Sequence, residues 1–412
     1  MKQPSQEPSK MSREEKSNQR NAIIAGFLGW TLDAFDFFIL TFALAAVAKD
    51  FHKTIPDIAL TLTASLAMRP ICALIFGLLA DRYGRKRPLI FNIIFYSVIE
   101  ILSGLAPNYK MFLLLRLLYG IGMGGEWGVG ASLVMESVSA KRRGFLSGIL
   151  QEGYAFGFLL AAAAYYLVFP GHGWRVMFFV GGLPALLTLF IRARVKETTA
   201  WKASRIRNWK EYGRAVTRHW RLFLYLVLLM SAMNLISHGT QDLYPTFLQQ
   251  QRHYDPHTTA TITMVSMIGA ILGGLLFGHL SDRWGRKKMM ALAVILAIAV
   301  IPLWLLASGS ILIAAGAFGM QFMVQGAWGI IPAHINELSP GPLRGFFPGF
   351  AYQLGVLIAS GIAYVESLLA ERLSYASAME ILAGSVLAIA FVVILAGPEA
   401  KGIRFSAEII QD

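Results

Sequence analysis

The sequence predicts an all-α integral membrane protein with twelve transmembrane helices in two six-helix halves. Three observations lead to this prediction. Of the 412 residues, 56% are hydrophobic and only 15% are charged, which is far from the proportions of a soluble protein. Apolar stretches of about 20 residues, the length that crosses roughly 30 Å of hydrocarbon, recur along the chain. A motif that begins at Gly77 also reappears 201 residues later.

This composition excludes a soluble enzyme and a disordered regulator. A secreted disulfide scaffold is excluded as well, because Cys72 is the only cysteine and has no intrachain partner. The sequence contains no nucleotide-binding loop, catalytic triad or cluster with metal-ligand spacing. We therefore expect a protein that is not an enzyme and that uses no metal or cofactor.

Twelve apolar stretches are predicted to span the membrane. They cover residues 22–48, 57–80, 88–106, 110–135, 144–169, 174–193, 220–248, 258–281, 289–307, 311–335, 346–370 and 375–397. The predicted units are a tail over 1–21, a six-helix bundle over 22–193, a linker over 194–219, a second six-helix bundle over 220–397 and a tail over 398–412.

Positive charge is unevenly distributed between the two sides of the predicted bundle. Most Lys and Arg residues lie on the side of the amino terminus, whereas the opposite side carries Lys49, Lys53, Lys110, Arg175, Arg252 and Arg372. This bias predicts a multi-pass protein of the plasma membrane, the cell inner membrane, with both termini in the cytoplasm. It also accounts for the net charge of +13 without a nucleic acid partner. We expect a monomer.

The predicted linker over 194–219 is basic and contains Trp201, Trp209 and Tyr212. Short surface helices at the anionic inner leaflet, with their cations held by lipid headgroups, are the favoured interpretation. A binding site for a partner is the alternative.

The two halves are related by an internal repeat. The segment GLLADRYGRKR from Gly77 recurs as GHLSDRWGRKK from Gly278. The same offset places Gly125, Trp127, Gly128, Glu136, Arg143 and Gly144 onto Gly326, Trp328, Gly329, Glu337, Arg344 and Gly345. Matches at four separate places indicate a duplication. In such proteins a binding site lies at mid-membrane, between halves that rock against each other.

The repeated loop is predicted to form a gate on the cytoplasmic side. Gly77 allows two helices to approach closely, and Asp81 is expected at the positive amino-terminal end of the helix that follows it. Arg85 is expected to face Glu136 and anionic lipid. The corresponding residues of the second half are Asp282, Arg286 and Glu337. A loop whose charges serve only membrane topology is the alternative.

Several polar residues are predicted at bilayer depth, where charge is costly and marks a cavity by default. They are Asp33 and Asp36 in the first span, Arg69 in the second, Arg116 and Glu126 in the fourth, and Gln151 and Glu152 in the fifth. Structural ion pairing is the alternative for each charged member of this set.

The seventh span carries a stripe of polar residues. Its members recur at intervals of three and four residues, which places them on one face of a helix: Asn234, Ser237, His238, Gln241 and Asp242. Such a face must meet water or the other half of the protein. Histidine also gains or loses charge near neutral pH. The stripe therefore predicts a polar cavity.

Two motifs resemble those of the major facilitator superfamily. Gly77-x-x-x-Asp81-Arg82-x-Gly84-Arg85-Lys86 and its copy from Gly278 to Lys287 resemble that superfamily's loop signature. Arg116-x-x-x-Gly120-x-Gly122-x-Gly124 resembles its motif in the fourth helix. The resemblance spans essentially the whole chain, and it implies the major facilitator fold and transport by alternating access.

The polar stripe resembles the signature of the lactate/pyruvate proton symporters, monocarboxylate carriers grouped with the sialate:proton symporters. All fixed positions of Asn234-x-x-Ser237-His238-x-Thr240-Gln241-Asp242-x-x-x-Thr246 are met. The strings GWTLDAFDFFIL in the first span, GGEWG at 124–128 and Tyr352-Gln353-Leu354-Gly355 resemble the same group. The resemblance implies symport of protons with a short monocarboxylate such as lactate or pyruvate. It implies substrate contacts for Arg69, Asn234, His238, Gln241, Asp242 and Gln353, and we expect Tyr154 near them.

The resemblance also suggests where the proton is carried. In the superfamily's sugar:proton carriers an Asp of the first helix pairs with the motif Arg of the fourth helix. Asp36, which follows Phe35, resembles that Asp, and Arg116 matches the Arg. We therefore expect Asp36 to carry the proton beside Arg116. Asp33 and Asp242 are the alternatives, and Glu126 is a further candidate for proton coupling.

Two other functions stay open on the sequence alone. The first is a carrier of sialate, a dicarboxylate or another organic acid, although Phe35, Phe37, Tyr154 and Phe156 favour a small substrate. The second, from a different class, is a nutrient sensor that keeps the fold without transport. Sensors usually add long signalling tails, which the two short predicted tails do not resemble.

Overall fold

The protein is helical throughout the part of the chain that the structure describes. This computed structural model describes residues 13–53, 55–198, 201–202, 209–403 and 405, and within these ranges it contains no β-strand. Hydrocarbon offers no partner for backbone N–H and C=O groups, so a spanning chain satisfies them within helices. The predicted all-α membrane fold is confirmed.

The amino-terminal half contains eight described α-helices. They are α1 (Arg13–Asp50), α2 (Ile55–Tyr83), α3 (Lys86–Gly104), α4 (Tyr109–Met123), α5 (Glu126–Ser137), α6 (Arg143–Gln151), α7 (Gly153–Val180) and α8 (Pro184–Arg194). The first three predicted spans correspond to α1, α2 and α3. The fourth is divided into α4 and α5, and the fifth begins with α6 and continues in α7.

Gly173 separates the fifth predicted span from the sixth inside α7. Its φ of 72° and ψ of −178° lie in a region that essentially only glycine occupies. The chain turns there, and the sixth span continues through the end of α7 into α8.

The carboxy-terminal half follows a connecting helix, α9 (Trp209–Arg218). Its helices are α10 (Trp220–Gln241), α11 (Tyr244–Gln250), α12 (Pro256–Trp284), α13 (Arg286–Leu305), α14 (Ser310–Leu338), α15 (Phe347–Ala359), α16 (Ile362–Arg372) and α17 (Tyr375–Ala396). The stripe of the seventh span lies at the end of α10. The eleventh predicted span is divided into α15 and α16.

Ten helical segments of the described chain are long and apolar enough to cross a membrane. The predicted spans outside this set are the fourth, which is divided into α4 and α5, and the eleventh, which is divided into α15 and α16. The fourth is interrupted at Gly124 and Gly125. These glycines pack against the backbone of Arg69 and against Cys72 and Phe76 of α2, so the break lies where α2 comes closest.

The two halves are packed in the same way. In the first half α1 packs against α7, and α2 packs against α4. The corresponding pairs of the second half are α10 with α15, and α12 with α14. Each half encloses its own apolar core. The repeat seen in the sequence is therefore also a repeat of helix packing.

The halves meet in two related interfaces. In one, α6 packs against α12 and α14, and in the other, α15 packs against α2 and α5. Glycines bring the backbones together in both. A Cβ added to Gly349 of α15 would lie 3.1 Å from the Cα of Gly128, and one added to Gly148 of α6 would lie 3.1 Å from the carbonyl carbon of Gly274. Small residues thus set the spacing of the halves.

We expect Gly128→Ala to destabilise the contact between the halves. The added Cβ would collide with the backbone of Gly349, and overpacking of this kind costs about 1–3 kcal/mol. The thermal midpoint of the detergent-purified protein, followed by scanning fluorimetry, should fall. Gly130→Ala on the same helix is the matched control, since a Cβ there meets nothing within 4 Å. An equal fall in both variants would locate the effect in α5 itself rather than in the interface.

Candidate functional site

A cavity of about 680 Å³ lies between the two halves. Five of the residues predicted to bind substrate or protons line it: Asp33, Arg69, Tyr154, Asn234 and His238. The polar groups at bilayer depth and the stripe of the seventh span therefore meet at one place.

Arg69 is the cation of this cavity. The residue is only 6% exposed, its Nη2 donates to Met123 Sδ over 2.7 Å, and its guanidinium lies 5.6 Å from the ring centroid of Phe37. Among the described residues, no carboxylate lies within ion-pair distance of it, and its Nε has no hydrogen-bond partner. The ion pair considered as an alternative for Arg69 is therefore absent, and the guanidinium faces the cavity with donors to spare.

Asp33 is the acid of the same cavity. It is 2% exposed, and its Oδ1 has no hydrogen-bond partner within the described chain. Asp33 and Arg69 thus line one cavity without forming an ion pair. Two opposite charges held apart in this way are available to a ligand or to a proton.

The polar stripe divides into two groups. Asn234, Ser237 and His238 line the cavity, and Asn234 donates from Nδ2 to the carbonyl oxygen of Met230 over 2.8 Å. Asp242 does not line it. Its Oδ2 lies 3.1 Å from His238 Nδ1, so the acid orients the imidazole from behind.

Two predicted substrate contacts lie outside the cavity. Gln241 donates from Nε2 to Gln321 Oε1 over 2.7 Å, which ties α10 to α14. Gln353 donates from Nε2 to the carbonyl oxygen of Gly124 over 3.2 Å, which ties α15 to the break between α4 and α5. Both amides are therefore engaged in helix contacts, and their predicted contact with substrate stays without support from the geometry.

Aromatic side chains form much of the cavity wall. Trp30 stacks on Tyr154 with ring centroids 6.0 Å apart, and Tyr352 meets Trp30 edge-on at 6.3 Å and Trp328 edge-on at 6.0 Å. Trp30, Trp328 and the amide residue Gln325 were not predicted as cavity residues. A signal for Trp328 exists in the sequence, because the repeat places it at the position equivalent to Trp127.

The predicted pair between Asp36 and Arg116 is wrong. Arg116 instead forms an ion pair with Glu100 of α3, with Nη2 to Oε2 at 2.5 Å. Because α3 packs directly against α4, it brings Glu100 to Arg116 first. Asp36 is fully buried, and neither of its oxygens has a partner within the described chain. A Cβ added to Gly181 would lie 3.2 Å from Asp36 Oδ1, so this glycine makes room for the acid.

Glu126 lines a second, smaller cavity. Neither of its oxygens has a hydrogen-bond partner among the described residues. Trp30 lines both cavities, and its Nε1 donates to the carbonyl oxygen of Gln151 over 3.3 Å. One indole ring thus separates Glu126 from the central cavity.

On the side of the chain termini, Asp81 joins the two halves. It accepts hydrogen bonds from the backbone N–H groups of Gly345, at 2.7 Å, and Phe346, at 3.1 Å, which precede α15. A Cβ added to Gly77 would lie 2.9 Å from the Cα of Phe346, so the glycine allows this approach. We expected Asp81 to lie at the amino-terminal end of the helix that follows it. This expectation is wrong, because another acid accepts the hydrogen bonds at the start of that helix.

Two glutamates accept hydrogen bonds from the first backbone N–H groups of the helices that follow the repeated loops. Glu197 accepts from the backbone N–H groups of Arg85 and Lys86 at the start of α3, at 2.9 and 3.2 Å. Glu399 accepts from those of Arg286 and Lys287 at the start of α13, at 3.0 and 3.1 Å. Burial opposes the ionisation of Glu399, but these N–H donors outweigh it and hold the pKa of Glu399 below its ordinary value.

The second repeat closes the interface in the same way. Asp282 accepts from the backbone N–H groups of Gly144, at 2.8 Å, and Phe145, at 3.0 Å, at the start of α6. Each aspartate therefore holds the amino terminus of a helix in the opposite half, where the helix dipole favours negative charge.

Buried ion pairs surround both aspartates. Arg85 pairs with Asp81 and also with Glu136, the latter at 2.9 Å. Arg286 pairs with Asp282 at 2.8 Å and with Glu337 at 2.9 Å. Arg143 of the first half joins Glu337 of the second at 2.8 Å. The six charged residues predicted to form the gate thus belong to two ion-pair clusters on the side of the termini, one around each aspartate.

The linker packs against Asp81. Trp201 donates from Nε1 to the carbonyl oxygen of Asp81 over 2.7 Å, and the Tyr212 hydroxyl donates to Asp81 Oδ2 over 2.8 Å. Burial, together with the charge of Asp81, raises the pKa of the Tyr212 hydroxyl. Trp201 and Tyr212 therefore lie against protein, whereas the contact of the linker's cations with lipid headgroups stays a prediction. The side chain of Trp209 lies outside the described residues.

A family comparison agrees with this architecture. The family described as Major Facilitator Superfamily matches residues 26–255 and 243–409. The chain belongs to the Major Facilitator Superfamily. It is an integral multi-pass membrane protein and a secondary transporter of the type found in this superfamily.

Three relatives in the superfamily align with most of the chain. The carboxylic acid transporter protein homolog of Saccharomyces cerevisiae is 31% identical over 92% of this chain and 68% of its own length. The probable 4-methylmuconolactone transporter of Cupriavidus pinatubonensis is 30% identical over 93% of this chain and 92% of its own length. The sialic acid transporter NanX of Escherichia coli is 31% identical over 82% of this chain and 84% of its own length.

Solved structures of the superfamily share the fold. The proton:xylose symporter XylE, bound to 6-bromo-6-deoxy-D-glucose, aligns with a TM-score of 0.75 at 17% identity. The alignment covers 94% of this chain and 98% of that structure. At this identity the likeness concerns the fold alone.

We expect Arg69→Ala to abolish binding of a carboxylate in the cavity, because the cation is lost. Arg69→Lys should restore binding only in part, since a point charge cannot make the forked contact of a guanidinium. Binding of lactate to the purified variants would be measured by calorimetry. Wild-type affinity in Arg69→Ala would show that Arg69 only supports the packing around Met123 and Phe37.

Proposed function

We propose that the chain is a proton-coupled symporter for a short monocarboxylate such as lactate or pyruvate. The observation that carries this proposal is the buried guanidinium of Arg69, which lines the central cavity without an acidic partner among the described residues. A carboxylate that leaves water has to be paired, and a guanidinium pairs with it through two hydrogen bonds. The cavity thus supplies what an organic anion needs.

Polar groups of the second half complete the proposed site. Asn234, Ser237 and His238 line the cavity on α10, whereas Arg69 belongs to α2. An acid held by Arg69 would therefore offer its hydroxyl or keto oxygen to the other half. Contacts of one ligand with both halves are what couples binding to the rocking motion of such transporters.

The names of the relatives support an acid as substrate. One is named for carboxylic acids and another for sialic acid. We extend this to the present chain because Arg69 and the stripe of α10 provide the matching chemistry.

A proton would balance the charge of the acid, and we propose Asp33 as its carrier. Asp33 lines the cavity with Arg69, so it can exchange a proton with the same water that delivers the substrate. Asp36 lies one helical turn further along α1 and is fully buried. Because Asp36 does not pair with Arg116, the reason to prefer Asp36 is gone. It stays a candidate together with Glu126 and Asp242.

A larger organic acid is the second candidate substrate. The wall of Trp30, Tyr154 and Tyr352 offers apolar faces to a ring. The relative named for sialic acid fits this alternative.

The position in the cell is part of the same proposal. The bias of Lys and Arg toward one side favours a plasma-membrane protein with both termini in the cytoplasm. The ion-pair clusters around Asp81 and Asp282 would then form the cytoplasmic gate. We propose that the protein works as a monomer surrounded by lipid.

Uptake into proteoliposomes tests the function. We expect labelled lactate or pyruvate to accumulate when the outside is acidic, and sialate, benzoate and succinate in the same panel test the larger acids. Accumulation that survives collapse of the pH gradient, or that requires sodium, would contradict proton symport.

Asp33→Asn tests the proposed proton carrier. The variant should still exchange lactate without a gradient, because Arg69 is intact, but should fail to accumulate it against a concentration gradient. Asp36→Asn is the matched comparison on the same helix and should still accumulate lactate. The opposite pattern would assign the proton to Asp36.

A further inference from the structure

Glu152 is a buried carboxyl at the interface between the halves, outside the central cavity. It follows Gln151 at the end of α6 and is only 4% exposed. In the described chain its Oε1 has no hydrogen-bond partner. It lies against Gly274 of α12, where an added Cβ would collide with Oε1 and would lie 3.5 Å from the carbonyl oxygen of Gln325.

The internal repeat gives Glu152 a counterpart. The offset that places Arg143 onto Arg344 and Gly148 onto Gly349 also places Glu152 onto Gln353. Gln353 reaches across the other interface and donates from Nε2 to the carbonyl oxygen of Gly124. The same offset places Gly124 onto Gln325. Each half thus places one polar side chain at its interface with the partner half.

The chemistry of the two counterparts differs in one respect. An amide carries N–H donors, whereas an ionised carboxylate only accepts and a carboxylic acid has one O–H to donate. A carboxylate anion here would be buried with no hydrogen-bond donor for Oε1 among the described residues, which is costly. With a proton, Glu152 can do what Gln353 does.

We propose that Glu152 is a proton-binding site at the interface, and that it must hold a proton for the halves to close on the side of the chain termini. When α6 moves away from α12, water reaches the carboxyl and the proton leaves to that water. The proposal rests on the proposed function only in taking this opening as part of transport.

Other charged groups do not explain the position of Glu152. The charged and titratable residues of the elements packed against α6 include Asp33 and Asp36 on α1, Glu126 and Glu136 on α5, His279, Asp282 and Arg283 on α12, and His334 and Glu337 on α14. Arg143 on α6 itself pairs with Glu337. Within the described residues, no cation forms an ion pair with Glu152, so a proton is the simplest way to neutralise it.

The test follows the distance between the halves in the absence of any acid. Tyr83 and Trp284 are exposed and occupy equivalent places at the ends of α2 and α12. Both are changed to Cys for spin labelling in a Cys72→Ala background, and the distance distribution is measured at pH 5 and pH 8. We expect the short-distance, closed population to fall at pH 8.

Substitutions of Glu152 distinguish a requirement for the proton from the effect of burying the side chain. Glu152→Gln should stay closed at both pH values, whereas Glu152→Leu, which cannot donate, should shift the closed-to-open ratio about three- to tenfold toward open, the worth of one hydrogen bond. Gln353→Glu should make closure depend more steeply on pH. Glu380→Gln, an exposed acid on α17, should keep the wild-type response.

Three outcomes would overturn the proposal. They are a wild-type protein without pH dependence, a Glu152→Gln variant that keeps that dependence, or a Glu152→Leu variant as closed as Glu152→Gln. The spin-label measurement uses neither substrate nor gradient. Its outcome is therefore independent of the uptake experiment, and a failure of one proposal leaves the other standing.

Discussion

Two aspartates hold the halves of this transporter together on the side of its termini. Asp81 accepts from the backbone at the start of α15, and Asp282 accepts from the backbone at the start of α6. Each brings a negative charge to the positive end of a helix in the opposite half. The close approach at Gly77 and the arginine pairs of Arg85 and Arg286 accompany this exchange of helix ends.

The cavity above that closure keeps its charges unpaired. Arg69 and Asp33 both line it, and neither has an ion-pair partner among the described residues. Four other buried arginines, Arg85, Arg116, Arg143 and Arg286, each pair with an acid. Leaving a cation unpaired at depth costs stability, so an unpaired Arg69 in the cavity fits a site that a ligand completes.

The sequence predicted the fold and much of the cavity for a simple physical reason. Charge and polar stripes inside apolar spans have to face water or protein, so Asp33, Arg69, Asn234 and His238 could be assigned to one cavity. The repeat predicted two similar halves because it occurs at a single offset in four places.

The sequence could not predict which partner each polar group selects. The predicted pair between Asp36 and Arg116 is not formed because α3 brings Glu100 to Arg116, and helix neighbours are not visible in a linear pattern. Asp81 was assigned to the next helix because the crossing of helix ends between halves is a property of the assembled fold. Gln241 and Gln353 shared the polar pattern of the cavity but are used between helices.

A structure determined with the transported acid bound tests most directly whether Arg69 is the anion site. We predict that the carboxylate lies within hydrogen-bond distance of the Arg69 guanidinium, with its remaining oxygen toward α10. An acid bound elsewhere in the cavity, with Arg69 still directed at Met123 and Phe37, would contradict this account.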